Sequence, residues 1–395
     1  MTGREAVVVG GGIGGLAAAV ALRRAGWQVT VLERSPEPRE VGAGITLMSN
    51  ALRALDALGL AGAVRGDGRV ASAGGTRTAD GGWIARLDGT RLTEALHTET
   101  VGIHRRTLHR LLRAELPPDS LVTDAEVVDV VAGPPAEVGY LRRGRLVTVG
   151  ADLVVGADGI NSVVRSRLWP DTPPPVYAGS TTWRGITRDR WDGEVLAAVS
   201  WAPGAEFGMV PLGDGRIYWY GAVNAPPGER SPDELTAVFE RFGGWHEPIH
   251  ALLAATEPAA VIRTDIRCLD TPLPSYVRGR VALLGDAAHA MTPNLGQGGC
   301  QAIEDAVVLG VACGPRVAAG TDPVEAAISW YDAQRRPRTQ QVARAARLIG
   351  RFGQQLENPV AVAARNTVMR LTPARVALRS MARYADWHPP APPAG

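Results

Sequence analysis

The sequence predicts an α/β (α+β) protein: a mostly parallel core sheet assembled from three separate parts of the chain, a second β-sheet unit inserted between them, and helices at the C-terminal end. Three observations carry that prediction. Ala6-Val7-Val8-Val9, Val29-Thr30-Val31-Leu32, Leu153-Val154-Val155 and residues 280–284 have the unbroken apolar character of buried strands, and three of the four break into glycine-rich turns that open helices. Residues 70–98 and 176–270 switch to shorter alternating segments separated by Pro/Gly turns, and roughly the last 80 residues carry helical spacing.

The first turn is the most informative. Gly10-Gly11-Gly12-Ile13-Gly14-Gly15 fits G-x-G-x-x-G at Gly10, Gly12 and Gly15. The first glycine makes the turn, the second lets backbone approach a pyrophosphate, and the third lets helix and strand pack closely. The helix that follows presents its N-terminal N–H groups to anionic oxygens. It ends at Gly26, and the next strand delivers Glu33, 23 residues after Gly10, where a carboxylate can accept both hydroxyls of a ribose. Strand, turn, helix, strand and acid in this order predict a dinucleotide site.

Further along, Gly42-Ala43-Gly44 before Ile45-Thr46-Leu47 suits backbone passing close to something flat, or a plain bend. Residues 50–60 read as an amphipathic helix capped by Ser49 or Asn50, and residues 101–112 as a helix whose leading Arg105 and Arg106 contact phosphate or are solvated. Residues 122–131 and 145–149 read as strands. The buried strand ending at Val155 runs into Gly156-Ala157-Asp158-Gly159, an acid on a glycine-flanked turn, which is either a ligand site or a helix N-cap.

In the inserted unit, residues 181–186, 195–201, 207–211 and 216–223 read as strands, with Gly213-Asp214-Gly215 as the clearest hairpin turn. Trp183, Trp191, Trp201, Tyr218, Trp219 and Tyr220 gather here. Alternation puts Tyr218 and Tyr220 on one face and Trp219 on the other, so the sheet either walls an apolar pocket or keeps its aromatics as core. Residues 231–242 begin a helix with Ser-Pro-Asp-Glu. The strand at 280–284 leads into Gly285-Asp286 and a connection holding Pro293, Gly296, Gly298 and Gly299, whose composition suits backbone N–H groups pointed at a ligand. Residues 322–336 and 337–352 read as two helices, and 358–384 as a helical stretch interrupted at Pro373.

Composition removes several classes. With 42 basic and 40 acidic residues and no run of either sign, nothing points to nucleic acid or a charged membrane. All 42 basic residues are arginine, which excludes Schiff-base and lysine-acid chemistry. Cys268, Cys300 and Cys313 have neither C-x-x-C metal spacing nor a disulfide pattern, so no metal is expected. The apolar stretch 6–22 is broken by five glycines and reads as neither signal peptide nor membrane span, giving a cytoplasmic expectation.

Gly10-x-Gly12-x-x-Gly15 with Glu33, then Gly156-Ala157-Asp158-Gly159, then Gly285-Asp286 with residues 293–299 resemble, in this order and over nearly the whole chain, the single-component FAD-dependent aromatic hydroxylases of the p-hydroxybenzoate hydroxylase type. The Gly296-Gln297-Gly298-Gly299-Cys300 loop and Trp183-Arg184-Gly185 are most similar to the branch of salicylate hydroxylases, zeaxanthin epoxidases and FAD-dependent urate hydroxylases. The resemblance implies a Rossmann-like FAD-binding domain of the GR2 flavoprotein type at 1–70, 99–176 and 271–350 and a substrate-binding β-sheet domain at 71–98 and 177–270, while helical spacing and proline content predict a C-terminal helical brace at 351–385 and a disordered tail at 386–395. It implies FAD as resident cofactor, NADPH or NADH as transient reductant, and O₂ as co-substrate. Through a flavin C4a-hydroperoxide these would hydroxylate or epoxidise a cyclic or aromatic small molecule, whether phenolic, polyketide or heteroaromatic, in a monomer or homodimer. A flavin oxidoreductase without oxygen transfer and a redox-silent sequestering protein are the alternatives. Absence of lysine and of a Trp-x-Trp-x-Ile-Pro segment separates the chain from flavin-dependent halogenases.

Carried over residue by residue, the resemblance gives Gly10, Gly12, Ile13, Gly14, Gly15, Glu33 and Arg34 the ADP half of FAD, with Gly44 also at the cofactor and Arg105 near the pyrophosphate or ribityl chain. Asp158 would serve both FAD and the reductant, and Asp286 the ribityl hydroxyls. Pro293 would lie near the reactive edge of the flavin, and backbone from Leu295 to Gly298, including Gly296, would donate to the pyrimidine carbonyl, with Gly299 also at the cofactor. Arg184 would stack near the isoalloxazine. Tyr218, Arg184 and Pro293 are the catalytic candidates, and Trp201, Phe207, Met209, Tyr218, Tyr220 and Pro293 the expected pocket. Tyr218 matches a functional tyrosine of the urate hydroxylases, whereas Glu206 stands where those carry an arginine, so an anion such as urate is not the expected substrate. His289 is expected to pack structurally on the flavin loop.

Overall fold

The strand Glu5–Val9 lies inside a six-stranded sheet, with Gln28–Leu32 and Leu153–Gly156 on either side in parallel register. The structure, a computed structural model, describes residues 4–37, 43–71, 73–96, 98–193, 195–314 and 323–392. Val281–Leu283 extends the parallel set beyond Leu153–Gly156, Leu121–Val122 extends it beyond Gln28–Leu32, and Val277–Arg278 closes one edge antiparallel. Both faces of this sheet are covered, which is why its strands read as unbroken apolar runs. The helices Ile13–Arg24 and Gly298–Ala312 pack together in its core, and a three-stranded sheet (Glu126–Val131, Ala136–Arg142, Arg145–Ala151) contributes Val127, Val138 and Tyr140 to the same core. Gly10, Glu33, Asp158 and Asp286 follow the carboxyl ends of four of these parallel strands, so they lie along one edge of one sheet.

The inserted unit is a seven-stranded sheet in the order Ile262–Cys268, Val176–Ile186, Ile217–Asn224, Ala205–Pro211, Ala197–Ala202, Ala73–Thr78, Trp83–Asp88. Ala73–Thr78 joins parallel to Ala197–Ala202, so two stretches separated by more than a hundred residues share this sheet. One face carries Trp183, Phe207, Met209, Trp219 and Val223 against the helices Glu234–Phe242 and Ile249–Ala254. The other face turns to the first unit, where Tyr218 meets Gly44 and Pro211 passes Gly102.

Several local expectations change. Residues 101–112 are not one helix: Val101–His104 is a strand between Gly44–Leu47 and Arg69–Val70, and the helix starts at Arg105. All four strand residues are buried, which a short apolar run leading into a helix cannot announce by spacing alone. The strand Ala136–Arg142 was not anticipated. Pro337 does not divide two helices; Pro323–Phe352 runs through it, anchored by Arg335 and Arg338 on both sides of the proline to Glu304. Residues 386–395 are not a free tail at their start, because Arg53 donates to the Asp386 carboxylate and the Trp387 carbonyl, and Trp387 packs on the main core. Gly42 and Asp322 lie outside the described residues. Among the described residues no helix is long and apolar enough to cross a membrane.

Candidate active site

The glycine turn is built as its spacing requires. Gly10 has φ +107°, in the region that favours glycine, and a Cβ there would stand 2.4 Å from the Ala157 carbonyl oxygen. A Cβ on Gly15 would stand 2.0 Å from the Gly10 carbonyl oxygen, whereas one on Gly12 would meet nothing within 4 Å. The first and third glycines therefore serve packing, and the second, among the described residues, faces open space at the N-terminus of Ile13–Arg24, where a pyrophosphate can approach. Gly14 packs against Leu284 and Ala302. Glu33 is fixed from both sides: its Oε2 accepts from the Gly11 N–H at 2.7 Å and its Oε1 from the Ser35 N–H at 2.9 Å. Arg34 is exposed and lines a surface cavity of about 500 Å³ with Ser35, Asp124 and Arg143.

The second and third motifs meet through a residue to which sequence reasoning gave no role. Arg165 donates to the Ala287 carbonyl at 2.9 Å and to the Ile160 carbonyl at 2.5 Å, tying the Asp158 turn to the Asp286 turn. Its position seven residues after Asp158 on a short helix was the available signal. The N-cap of that helix is Ser162, whose Oγ accepts from Arg165 N–H at 2.9 Å, and not Asp158; the Asp158 Oδ2 accepts from Val163 and Val164 N–H at 2.7 and 3.2 Å from four residues before the cap, and its Oδ1 is buried with no partner among the described residues. Burial raises the Asp158 carboxyl above its ordinary range against those hydrogen bonds. Asp286, by contrast, is exposed between buried Gly285 and Ala287, so its carboxylate stands clear of the turn that carries it.

The connection after Asp286 forms a short 3-10 turn, Pro293–Leu295, and Gly296 takes a left-handed φ of +62° before the helix Gly298–Ala312 begins. A Cβ on Gly298 would meet nothing within 4 Å, so this helix start is also open. A Cβ on Gly299 would press on Ile45 and one on Gly296 on Met48, so residues 44–48 run beside this loop. On their other side a Cβ on Gly44 would fall 2.5 Å from the Tyr218 ring. Residues 44–48 thus join the glycine loop to the face of the seven-stranded sheet. Arg105 follows the partner strand of Gly44, and the charges of Arg184 and Arg105 act on the Tyr218 hydroxyl, partly offsetting the burial that raises its pKa.

Cross-strand register fixes that sheet face. Tyr218 stands opposite Val210 and Ile186, Tyr220 opposite Gly208 and Arg184, and Glu206 opposite Trp201 and Ala222, all on the side facing the loop. Phe207 and Met209, expected in the pocket, are a correction: they point to the opposite face, where Phe207 stacks on Trp219 at 5.6 Å and both belong to the helix-covered core. Arg184 donates to Thr264 Oγ1 at 2.7 Å and keeps a buried Nε without a partner among the described residues. The Trp201 indole borders the C-terminal end of Pro323–Phe352, where a Cβ on Gly353 would lie 3.0 Å from it, and one turn earlier Gly350 abuts Asn294 of the Pro293–Leu295 turn. The sheet face, the end of that helix and the glycine loop therefore enclose one region.

Behind the loop lies a buried charge network. Glu304 accepts from Asn50, Gln301, Arg335 and Arg338, while Asp305 accepts from the Gly285 N–H, His289 Nε2 and Arg335. Burial would raise the Asp305 carboxyl, but His289 and Arg335 outweigh it and hold it down to about 2. His289 is packed in this network, and Cys300 is inert because burial pushes its thiol up to about 12.

Known proteins resemble the chain over nearly its whole length. A family model described as "FAD binding domain" matches residues 4–346. The chain is 40% identical over 373 residues to an aurachin C monooxygenase/isomerase of Stigmatella aurantiaca, covering 94% of each. It is 37% identical over 351 residues to a 3-amino-4-hydroxybenzoate 2-monooxygenase of Streptomyces cremeus, covering 86% of this chain and 85% of that one. The solved structure of Klebsiella pneumoniae HpxO complexed with FAD and uric acid superposes with a TM-score of 0.88 at 28% identity, covering 97% of this chain and 96% of that one.

Proposed function

The chain belongs to the FAD-binding domain family, among its single-component flavin-dependent aromatic hydroxylases, and from that premise we propose that it transfers one oxygen atom of O₂ to a neutral cyclic or heteroaromatic small molecule. FAD is the resident cofactor and NAD(P)H the reductant. Bound FAD supplies two-electron chemistry with NAD(P)H and O₂ that the side chains themselves lack.

The residues fit that group. Gly12 and Gly298 leave two helix starts open to anionic or carbonyl oxygens, and Glu33 is pre-oriented by two backbone N–H groups beside the first. We assign the ribityl hydroxyls to the exposed Asp286 and the unpartnered Oδ1 of Asp158 to a donor on the cofactor or reductant. The amides after Pro293 orient and polarise the ring's carbonyl end, and Arg184 holds positive charge at the sheet wall. Tyr218, Tyr220, Val210 and Ile186 give that wall an apolar surface that excludes water from the reacting centre. We place the protein in the cytoplasm, as a monomer or homodimer.

The observation that carries this reading is the position of residues 44–48, wedged between the glycine loop and the Tyr218 face, which puts an aromatic wall beside a cofactor loop. Stopped-flow reduction by NADPH tests it. A substrate that accelerates reduction of the bound flavin and consumes NADPH and O₂ in equal amounts is expected; reduction indifferent to every cyclic compound offered would point to a simple flavin reductase.

A further inference from the structure

On the wall between Trp201 and Tyr220 sits a carboxylic acid with no structural use. Glu206 is only 6% exposed, and among the described residues its one hydrogen bond is from Trp201 Nε1 to Oε2, at 3.1 Å. A carboxylate has room for about four donors, so most of its accepting capacity is idle. No described cation pairs with it. Arg365 stacks over Trp201 at 4.8 Å but spends its N–H groups on the carbonyls of Phe352 and Gly353 and on Asn366. Arg184 donates to Thr264 and keeps an unpartnered Nε but forms no ion pair with Glu206, and the other described titratable groups on this face are the tyrosines, Tyr218 and Tyr220. Among the described residues, one hydrogen bond is little compensation for a carboxyl this buried.

We propose that Glu206 binds the ring N–H or hydroxyl of a neutral heteroaromatic substrate, takes its proton during oxygen transfer, and rejects carboxylate substrates. The proposal rests on the monooxygenase reading and names the substrate class for it. In the step, the substrate N–H bond breaks and an O–H bond forms on Glu206. The freed electron pair moves into the ring and makes a ring carbon nucleophilic. That carbon gains one oxygen of O₂, the other oxygen leaves as water, and NAD(P)H provides the two electrons. The carbon then loses its own hydrogen as a proton, which ends on the oxygen that leaves as water, while Glu206 returns the first proton to nitrogen, leaving C–OH where C–H had been. Burial pushes the Glu206 carboxyl up to about 7, opposed by the Trp201 bond, so both forms are accessible at neutral pH.

The FAD-loaded protein is titrated with 2-methyl-4(1H)-quinolone, its N-methyl derivative and 3-amino-4-hydroxybenzoate, followed by perturbation of the flavin spectrum. Wild type is expected to bind the N–H quinolone at least about tenfold tighter than the N-methyl compound, and to bind the benzoate weakest at alkaline pH. In Glu206→Gln the N–H preference is expected to fall to within about twofold, the benzoate to tighten about tenfold, and the rise of kcat with pH near neutrality to disappear with kcat down about a hundredfold. Equal affinity of wild type for the two quinolones, no quinolone binding, or preference for the benzoate would each overturn the proposal without needing a variant. So would an unchanged pH profile in a Glu206→Gln protein that retains FAD. Loss of oxygen transfer to every ring compound in wild type would instead sink the monooxygenase reading, and the binding comparison would still report on Glu206.

Discussion

Glu206→Gln is expected to raise thermal stability at about pH 8 and to leave it unchanged near pH 4. Burial raises the folded-state pKa to about 7 from an ordinary value of 4.5, so the cost of ionising this group appears as pH climbs between those values and is complete above the upper one. Removing it relieves up to about 3 kcal/mol, read as a higher melting temperature whose difference vanishes in acid. Asp286→Ala is expected to weaken FAD binding at least tenfold, measured as flavin retained through gel filtration, because this exposed carboxylate, whose charge also acts on Arg165, is the acceptor we propose for the ribityl hydroxyls. At this scale the motif residues were legible, since G-x-G-x-x-G and the acids are defined by spacing. The side of the sheet taken by Phe207 and Met209 was not. It depends on how Ala205–Pro211 registers against Ile217–Asn224 across the intervening hairpin, and a one-residue slip there exchanges the two faces.

Between elements, close approach replaces side-chain chemistry. Gly44→Ala would drive a methyl group into the Tyr218 ring at 2.5 Å, separating the strand Gly44–Leu47 from the sheet wall. A loss of about 1–3 kcal/mol in denaturant unfolding is expected, with weakened FAD binding, because residues 44–48 also line the glycine loop. The sequence suggested a flat neighbour for this stretch but could not say that a tyrosine of the inserted sheet supplies one. It read the parallel strands and their turns well, because buried parallel strands announce themselves as continuous apolar runs. It misread Val101–His104 and Pro337, where tertiary contacts overrule local signals: strand pairing on both sides in one case, and in the other arginines on both sides of the proline holding a helix that Pro337 weakens by about 3 kcal/mol.

Across the whole molecule, the carboxyl edge of the parallel sheet is the floor, and one face of the inserted sheet the wall, of the cleft we propose as the active site. The long helix Pro323–Phe352 holds the parts together. Arg335 and Arg338 fasten it to Glu304 and Asp305 beneath the glycine loop, and its last turns touch Asn294 and Trp201. Arg335→Met would remove the guanidinium that two buried carboxylates share, leaving Glu304 to Arg338 and Asp305 to His289, so a loss of about 3–5 kcal/mol in unfolding free energy is expected, together with looser FAD binding. Fold class and cofactor were legible at this scale because three motifs recur in fixed order along the chain. The cleft's chemistry was not, because it arises where Trp201, the hydrogen-bond partner of Glu206, meets a helix end more than a hundred residues away.

The central claim is that this cleft delivers oxygen from O₂ to a neutral ring. Turnover of the FAD-loaded protein with NADPH, a quinolone and ¹⁸O₂, analysed by mass spectrometry, tests it most directly. A product heavier by one ¹⁸O atom, formed only with NADPH and with no label from H₂¹⁸O, is the result the account predicts. NADPH oxidation stimulated by the ring compound but yielding only labelled hydrogen peroxide and unaltered quinolone would contradict it.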